Sequence, residues 1–332
     1  MKSLENLITD FISFREGGQG AALVTIIGNT GSSPRPLGSQ MVVSEDGRSV
    51  GYLTGGCAEA AIVSEAVAAI KSQRNREMRL GVGSPYMDIL LPCGAGIDLY
   101  IDVGLGFETA RQIETYLTSR APVALDTCRE TGKHQTVINQ SQSVNNGAFR
   151  RWYLPRRRML ILGKGPNTAA LASLGKATDY EVKVFSPDRD TRRACAGEGI
   201  EANVLTSPEI AGSIPIDAWT ASVLLFHEHD WESAILKTLL KTDCFYIGAL
   251  GSRRTHEQRI RQLQSLGLDK AVHRIHGPVG MDIRAVTPIE IAVSILAEVT
   301  LAYRSCNLLQ PTTATLLFSD GFVCHSGESS LQ

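Results

Sequence analysis

Two glycines and a cysteine, in the run Gly55-Gly-Cys-Ala-Glu59, stand where a strand-like stretch gives way to a helical one. Val50, Tyr52 and Leu53 read as extended. Ala58, Ala61, Ile62, Ala66, Ala69 and Ile70 then recur at spacings of three and four, the apolar face of a helix. Gly55 and Gly56 let backbone approach a ligand, and free amides at a helix start favour an anion. Cys57 at that place is a candidate thiolate. The competing reading is a small apolar side chain packed under a turn. Leu90-Leu-Pro-Cys-Gly-Ala-Gly96 sets a second cysteine, Cys93, beside Gly94. Cys57 and Cys93 lack zinc-knuckle spacing and have no histidine near them, so they read as lining one cleft rather than as a zinc site.

Three further stretches could bind anions. Gly28 to Gly38 is too broken for a regular element, and its hydroxyls, amides and single Arg35 suit a phosphate-bearing ligand, with a solvated loop as the alternative. Met159-Leu-Ile-Leu-Gly-Lys-Gly-Pro-Asn-Thr168 is a short strand running into a glycine turn and a helix, the opening of a dinucleotide-type unit. Gly163 and Gly165 are present, but Thr168 fills the third glycine position. The next strand ends in Ser186 rather than an acid, with Asp188 two residues late, so the pattern supports the fold better than NAD as ligand. Phe245-Tyr-Ile-Gly-Ala-Leu-Gly251 opens onto Ser252, Arg253 and Arg254 at a helix start, whose planar guanidinium forks suit phosphate. Arg259 and Arg261 read as solvated helix residues. His227, His229 and His256 read as structural imidazoles rather than catalytic ones.

The elements that must carry these residues follow from periodicity. Leu4, Leu7, Ile8, Phe11 and Ile12 form one helical stripe ending at Gly17-Gly18, and Ala21 to Ile27 is a buried strand. Met41 to Ser44, the Asp46-Gly47 turn and the strand after it lead to Gly55. Met78 to Val82 and Ile97 to Val103 read as strands, the latter carrying Asp98 and Asp102. Phe107 to Leu117 reads as a helix, with short strands at Val123 to Asp126 and Thr136 to Ile138. Asn139 to Asn146 reads as a linker. The arginines 150, 151 and 156 to 158 read as a basic approach to a domain boundary, either a solvated face or a contact for phosphate or an acidic partner. Beyond it strands and helices alternate: Glu181 to Phe185, Ala221 to Phe226, Glu232 to Leu240 and Phe245 onward. A capping box, Thr287-Pro-Ile-Glu290, starts a helix to Tyr303, and an edge strand is expected at Thr315 to Phe318. The expected fold class is α/β, an N-terminal mixed α/β domain over 1–138, a linker over 139–156, a Rossmann-like doubly wound parallel-sheet domain over 157–305 and a tail over 306–332.

At 332 residues, 43% hydrophobic and 20% charged with net charge −1, the chain suits two soluble domains and points to neither nucleic acid nor membrane as partner. Seven cysteines without paired spacing suggest a reducing, cytoplasmic setting.

Gly31-Ser-Ser-Pro-Arg-Pro-Leu-Gly38, Gly55-Gly-Cys-Ala-Glu59, Cys93-Gly94, Ile161-Leu-Gly-Lys-Gly-Pro166, Tyr246-Ile-Gly-Ala-Leu-Gly-Ser-Arg-Arg254 and His276-Gly-Pro-Val-Gly-Met-Asp282, in this order, resemble the XdhC/CoxI family. These are accessory proteins of xanthine dehydrogenase and carbon monoxide dehydrogenase, and the resemblance leans to members serving bacterial aldehyde oxidoreductases. It implies a chaperone rather than an enzyme. Such a protein binds molybdenum cofactor, as molybdopterin or its cytosine dinucleotide form, supports its sulfuration and inserts it into a molybdoenzyme. The implied partners are a cysteine desulfurase, a second copy in a homodimer and the large subunit of the molybdoenzyme. The implied cofactor-binding residues are Arg35, Gly55, Gly56, Cys57, Glu59, Cys93, Gly94, Gly163, Gly165, Ser252, Arg253 and Arg254, with Cys57 as the molybdenum contact. The competing reading is an NAD(P)-dependent oxidoreductase built on the second domain.

Overall fold

The computed structural model describes residues 6–31, 35–84, 94, 96–138, 143–144, 147–226, 231–269 and 271–306, and the backbone of 316–318. The chain divides into two compact units, one running to Pro155 and taking in the final strand, the other starting at Arg156.

In the first unit α1 (Ile8–Glu16) leads to β1 (Ala21–Thr30), β2 (Gln40–Ser44) and β3 (Ser49–Val50). Next come α2 (Glu59–Ser72), β4 (Arg76–Gly81) and β5 (Gly96–Asp102). The strands form one antiparallel sheet in the order β3-β2-β1-β5-β4. Successive residues of a strand point to opposite faces. Val24 and Ile26 accordingly meet Ile62, Ala66 and Ile70 of α2, while Ala21 and Leu23 meet Phe11 and Ile12 of α1. Burial on both faces is why β1 is apolar without alternation. It also runs further than its sequence suggests. Gly28 to Thr30, expected to be irregular, remain paired with β5 beyond a bulge at Ile26/Gly28. A Cβ at Gly28 would stand 2.6 Å from the Asp98 carboxylate, so the bulged strand can lie against that aspartate only as glycine.

α3 (Phe107–Thr118) is followed by β6 (Val123–Cys128), β7 (His134–Val137) and β8 (Ala148–Tyr153). β8 lies within the stretch expected to be linker and is buried along its whole length. Of the arginines that read as a basic approach, Arg150, Arg151 and Arg158 are buried, whereas Arg156 is exposed. Arg150 donates to both Asp126 oxygens at 2.6 and 2.8 Å. Arg151 donates to the Gly38 carbonyl at 3.1 Å and lies over the Tyr153 ring. Paired charges can sit in a sheet interior that unpaired ones could not enter.

The second unit alternates β9 (Arg158–Gly163), α4 (Pro166–Ala177), β10 (Glu181–Ser186), α5 (Arg189–Gly197) and β11 (Glu201–Val204). It continues with β12 (Thr220–Leu225), α6 (Glu232–Leu239), β13 (Tyr246–Ala249), α7 (Arg253–Ser265), β14 (Ile275–His276) and α8 (Pro288–Ser305). All six strands are parallel in the order β11-β10-β9-β12-β13-β14, the doubly wound arrangement, with its switch point between β9 and β12. The expected capping box opens α8, with Thr287 and Glu290 bonded reciprocally. The last strand, β15 (Leu316–Phe318), pairs antiparallel with β8 of the first unit.

Among the described residues no helix is long and apolar enough to cross a membrane.

Candidate functional site

Register brings the first unit's glycine loops together. Thr30 at the end of β1 is partnered with Gly96 at the start of β5, and Gly96 with Gly81 at the end of β4. β2 begins, and β3 ends, toward the same end of the sheet. β1, β3 and β4 therefore end, and β2 and β5 begin, at one end of the sheet, so Arg35, the Cys57 turn and Gly94 are gathered there by topology. Cys93 lies outside the described residues. Arg35 sits over the Tyr52 ring at 5.1 Å.

Cys57 is exposed just before α2, on a turn whose glycines have φ of 73° (Gly55) and 105° (Gly56). Only glycine adopts such values readily. The anion that the helix start was expected to attract proves to be the chain's own. The Glu59 carboxylate accepts from Leu53 N at 3.0 Å, Thr54 N at 2.7 Å and Gly56 N at 2.8 Å. It also accepts from the Thr54 hydroxyl at 2.5 Å and Ala58 N at 3.3 Å. Burial pushes the carboxyl up, but the Thr54 hydroxyl and the amides of Thr54 and Leu53 outweigh it and hold Glu59 below the usual carboxylate range. Glu59 thus fixes the turn that presents Cys57, with the added favour of a negative charge at a helix N-terminus.

Arg79, which no sequence signal singled out, braces the same end of the sheet. It donates to both Asp98 oxygens at 2.7 and 2.9 Å, to Thr30 Oγ1 at 3.0 Å and to the Val82 carbonyl at 2.9 Å. Its trace in the sequence was Asp98, a charge inside an otherwise apolar strand.

In the second unit Gly163 is pressed against β12, where a Cβ would stand 2.7 Å from Leu225 Cβ. Gly165, with φ of 81°, opens α4, and its amide donates to Thr191 Oγ1 at 2.8 Å. Thr168 is wholly buried at the missing third glycine. The close helix–strand approach that a third glycine usually allows is supplied by Gly175, where a Cβ would meet Val182 at 3.0 Å. Asp188 caps α5 by accepting from Thr191 N at 2.8 Å.

At the end of β13, Ser252 caps α7 by accepting from Thr255 N at 3.1 Å. Arg253 and Arg254 are exposed on the first turn beyond it. Arg259, expected to be solvated, is buried. It pairs with Glu232 at 2.6 Å and donates to the Leu250 carbonyl at 2.7 Å, so it holds the loop that presents the two exposed arginines. Of the three histidines read as structural, His227 and His229 lie outside the described residues. His256 packs so tightly on Gly277 that a Cβ there would be 2.1 Å from its ring. Burial and the Arg259 charge push its pKa down.

Glu298 of α8 was also missed. Its carboxylate accepts from the Tyr246 hydroxyl at 2.5 Å and Gly280 N at 2.7 Å, and meets His276 Nδ1 at 3.1 Å. Burial pushes Glu298 up, yet its bonds to His276 and Tyr246 hold it below its usual range. Burial, followed by the Glu298 charge, pushes Tyr246 up. Its signal was faint, one acid among apolar residues on the α8 helix.

Comparison with known proteins matches both units. The model described as the XdhC and CoxI family covers residues 14–81, and that of the XdhC Rossmann domain covers 159–299. The molybdenum cofactor insertion chaperone PaoD of Escherichia coli (strain K12) is 37% identical over 287 residues, 85% of this chain and 83% of that protein. A probable xanthine dehydrogenase subunit of Bacillus subtilis (strain 168) is 25% identical over 335 residues, 89% of this chain and 96% of that protein. A crystal structure described as a xanthine dehydrogenase from Bacillus halodurans aligns with a TM-score of 0.76 and 22% identity. It covers 92% of this chain and 98% of that one, and supports the fold. With the cysteine turn and the parallel-sheet unit each inside a matched region, the chain belongs to the XdhC and CoxI family.

Proposed function

We propose that this protein is a molybdenum-cofactor chaperone that receives the cofactor, protects it and inserts it into a xanthine dehydrogenase-type or aldehyde oxidoreductase-type molybdoenzyme. The observation that carries the reading is Cys57, an exposed thiol on a turn held rigid by Glu59, in a chain 37% identical to a relative named as an insertion chaperone. Molybdenum is cargo here. The residues fit it: a sulfur ligand stands free in front of two glycines with nothing within 4 Å of either Cβ position. Cys57 contacts or shields the metal and Arg35 offers a charge to the pterin side. In the second unit Arg253 and Arg254 donate to the cofactor's phosphate, a group present in both the molybdopterin and cytosine dinucleotide forms. The cytosine dinucleotide form, sulfuration with a cysteine desulfurase and a homodimeric state belong to the same proposal.

The test is purification from cells that make the cofactor, followed by oxidation and pterin fluorescence. The wild type is expected to carry pterin. Cys57→Ala is expected to lose most of it, and to activate a client poorly, while keeping its thermal midpoint. Replacing Arg253 and Arg254 together by Gln should weaken retention by about one to two decades. Normal retention by Cys57→Ala, or turnover of NADH with a carbonyl substrate by the wild type, would overturn the proposal.

A further inference from the structure

α8 has an outer face that the packing of its own unit does not explain. Its inner face is core: Ala292, Ile295 and Val299 are fully buried in a cluster with Leu171 and Ala172 of α4 and Tyr246 of β13. The opposite face of such a helix is ordinarily polar. Here it is aliphatic. Ile289, Val293 and Leu301 are 49%, 47% and 55% exposed, with Leu296 and Ala297 partly covered between them. From Ile291 to Tyr303 the helix has one charged side chain, Glu298, and that one is engaged with Tyr246 and His276. The loop before α8 extends the surface. Met281 N donates to the Ser294 carbonyl at 3.2 Å, and Met281, Ile283 and Val286 are all exposed. Apolar side chains gathered in one place, rather than scattered singly, mark an interaction site.

The charges at the two ends of this face select the partner. Glu290 and Arg304 are both exposed, one near each end of the helix. Glu290, Val293, Ala297, Leu301 and Arg304 are spaced three, four, four and three positions apart, a pattern that reads the same from either end. Such steps keep all five on one side of the helix. A two-fold axis at Ala297 therefore sets Val293 against the partner's Leu301 and Glu290 against the partner's Arg304, each pair occurring twice. Each charge is about 10 Å from the axis at 1.5 Å per residue, and helices crossing at about 20° stay within reach over that length. Ala297 is the smallest side chain of the face and stands where the two helices would come closest. Antiparallel packing also lays the N-terminus of each dipole beside the C-terminus of the other. The capping role of Glu290 is compatible with this pair, since Val286 N and Thr287 N both donate to Oε2 and a carboxylate has acceptor capacity beyond two bonds.

We propose that the outer face of α8 is the surface on which a second copy of this chain docks, the two helices crossing antiparallel at Ala297. The inference rests on the homodimeric state proposed above and gives that state a surface; its test involves no molybdenum.

Sedimentation equilibrium on the full chain reads the association. The wild type is expected to be dimeric at micromolar concentration. Ala297→Glu sets two carboxylates against each other on the axis, at a position partly exposed in the single chain. It is expected to weaken association at least about a hundred-fold with an unchanged circular dichroism spectrum. Glu290→Arg and Arg304→Glu each oppose like charges in both pairs and are each expected to weaken association about ten-fold. Mixing these two variants restores opposite charges across both pairs and is expected to recover a heterodimer. A wild type that stays monomeric overturns the homodimeric state and this surface together, and loss of client activation by Ala297→Glu in that case assigns the face to the client. A dimer that survives Ala297→Glu overturns the surface and leaves the homodimer standing. A mixture that associates no more tightly than either charge variant alone overturns the antiparallel register.

Discussion

Replacing Glu59 by Gln removes one charge and swaps one oxygen for an amide while keeping the shape of the side chain. If the Oε1 position remains oxygen, Leu53 N and Thr54 N keep their acceptor. The amide then faces the Thr54 hydroxyl, Gly56 N and Ala58 N. The hydroxyl can rotate to accept, and Ala58 N retains Thr54 Oγ1 at 2.9 Å, so Gly56 N is the donor left facing another donor. One charge-assisted bond contributes roughly 1.5–3 kcal/mol and a charge at a helix start up to about 1 kcal/mol. Part of both is screened because Glu59 is partly exposed. The expected loss is about 2 kcal/mol, or roughly 5 °C in the midpoint of a domain this size. The pH dependence has a definite sign. Because the folded carboxyl lies below its ordinary value of 4.5, its contribution is complete above that value and is lost as pH falls through the folded pKa. Thermal melts of both proteins from neutral pH down past pH ~4 should show a gap that closes on acidification. A gap under about 1 °C at neutral pH, or one that persists in acid, would refute the role given to the carboxylate.

Arg150→Gln should be the most damaging of the arginine changes, since it strands Asp126 in the β6–β8 interior; a cost of about 3–5 kcal/mol is expected in denaturant titration. Arg261→Gln, on an exposed position of α7, should stay within about 0.5 kcal/mol, whereas Arg259→Gln, which leaves Glu232 unpaired, should cost several times that in the same assay. Gly277→Ala should displace the His256 ring, read as a shifted imidazole resonance and a lower midpoint. Glu298→Gln weakens the acceptor of Gly280 N, so faster hydrogen exchange at Gly280 is the expected outcome.

Much of this protein was legible in its sequence. Local spacing carried the helices, the buried strands, the glycine turn at Gly163 and the capping box at Thr287, because periodicity and cap chemistry are set by residues a few positions apart. The loops bearing Arg35, Cys57 and Gly94 were legible as candidates for the same reason. The tertiary structure alone decided which polar groups were already spoken for. Glu59 fills the amide cradle meant for a ligand, Asp188 is a helix cap, and Arg150 and Arg259 are interior ion pairs rather than solvated charges. Arg150 and Arg259 find partners 24 and 27 positions away in sequence, through strand register and helix packing. No window of neighbouring residues contains that information, because a long side chain reads the same whether it faces water or a buried carboxylate brought to it by the fold.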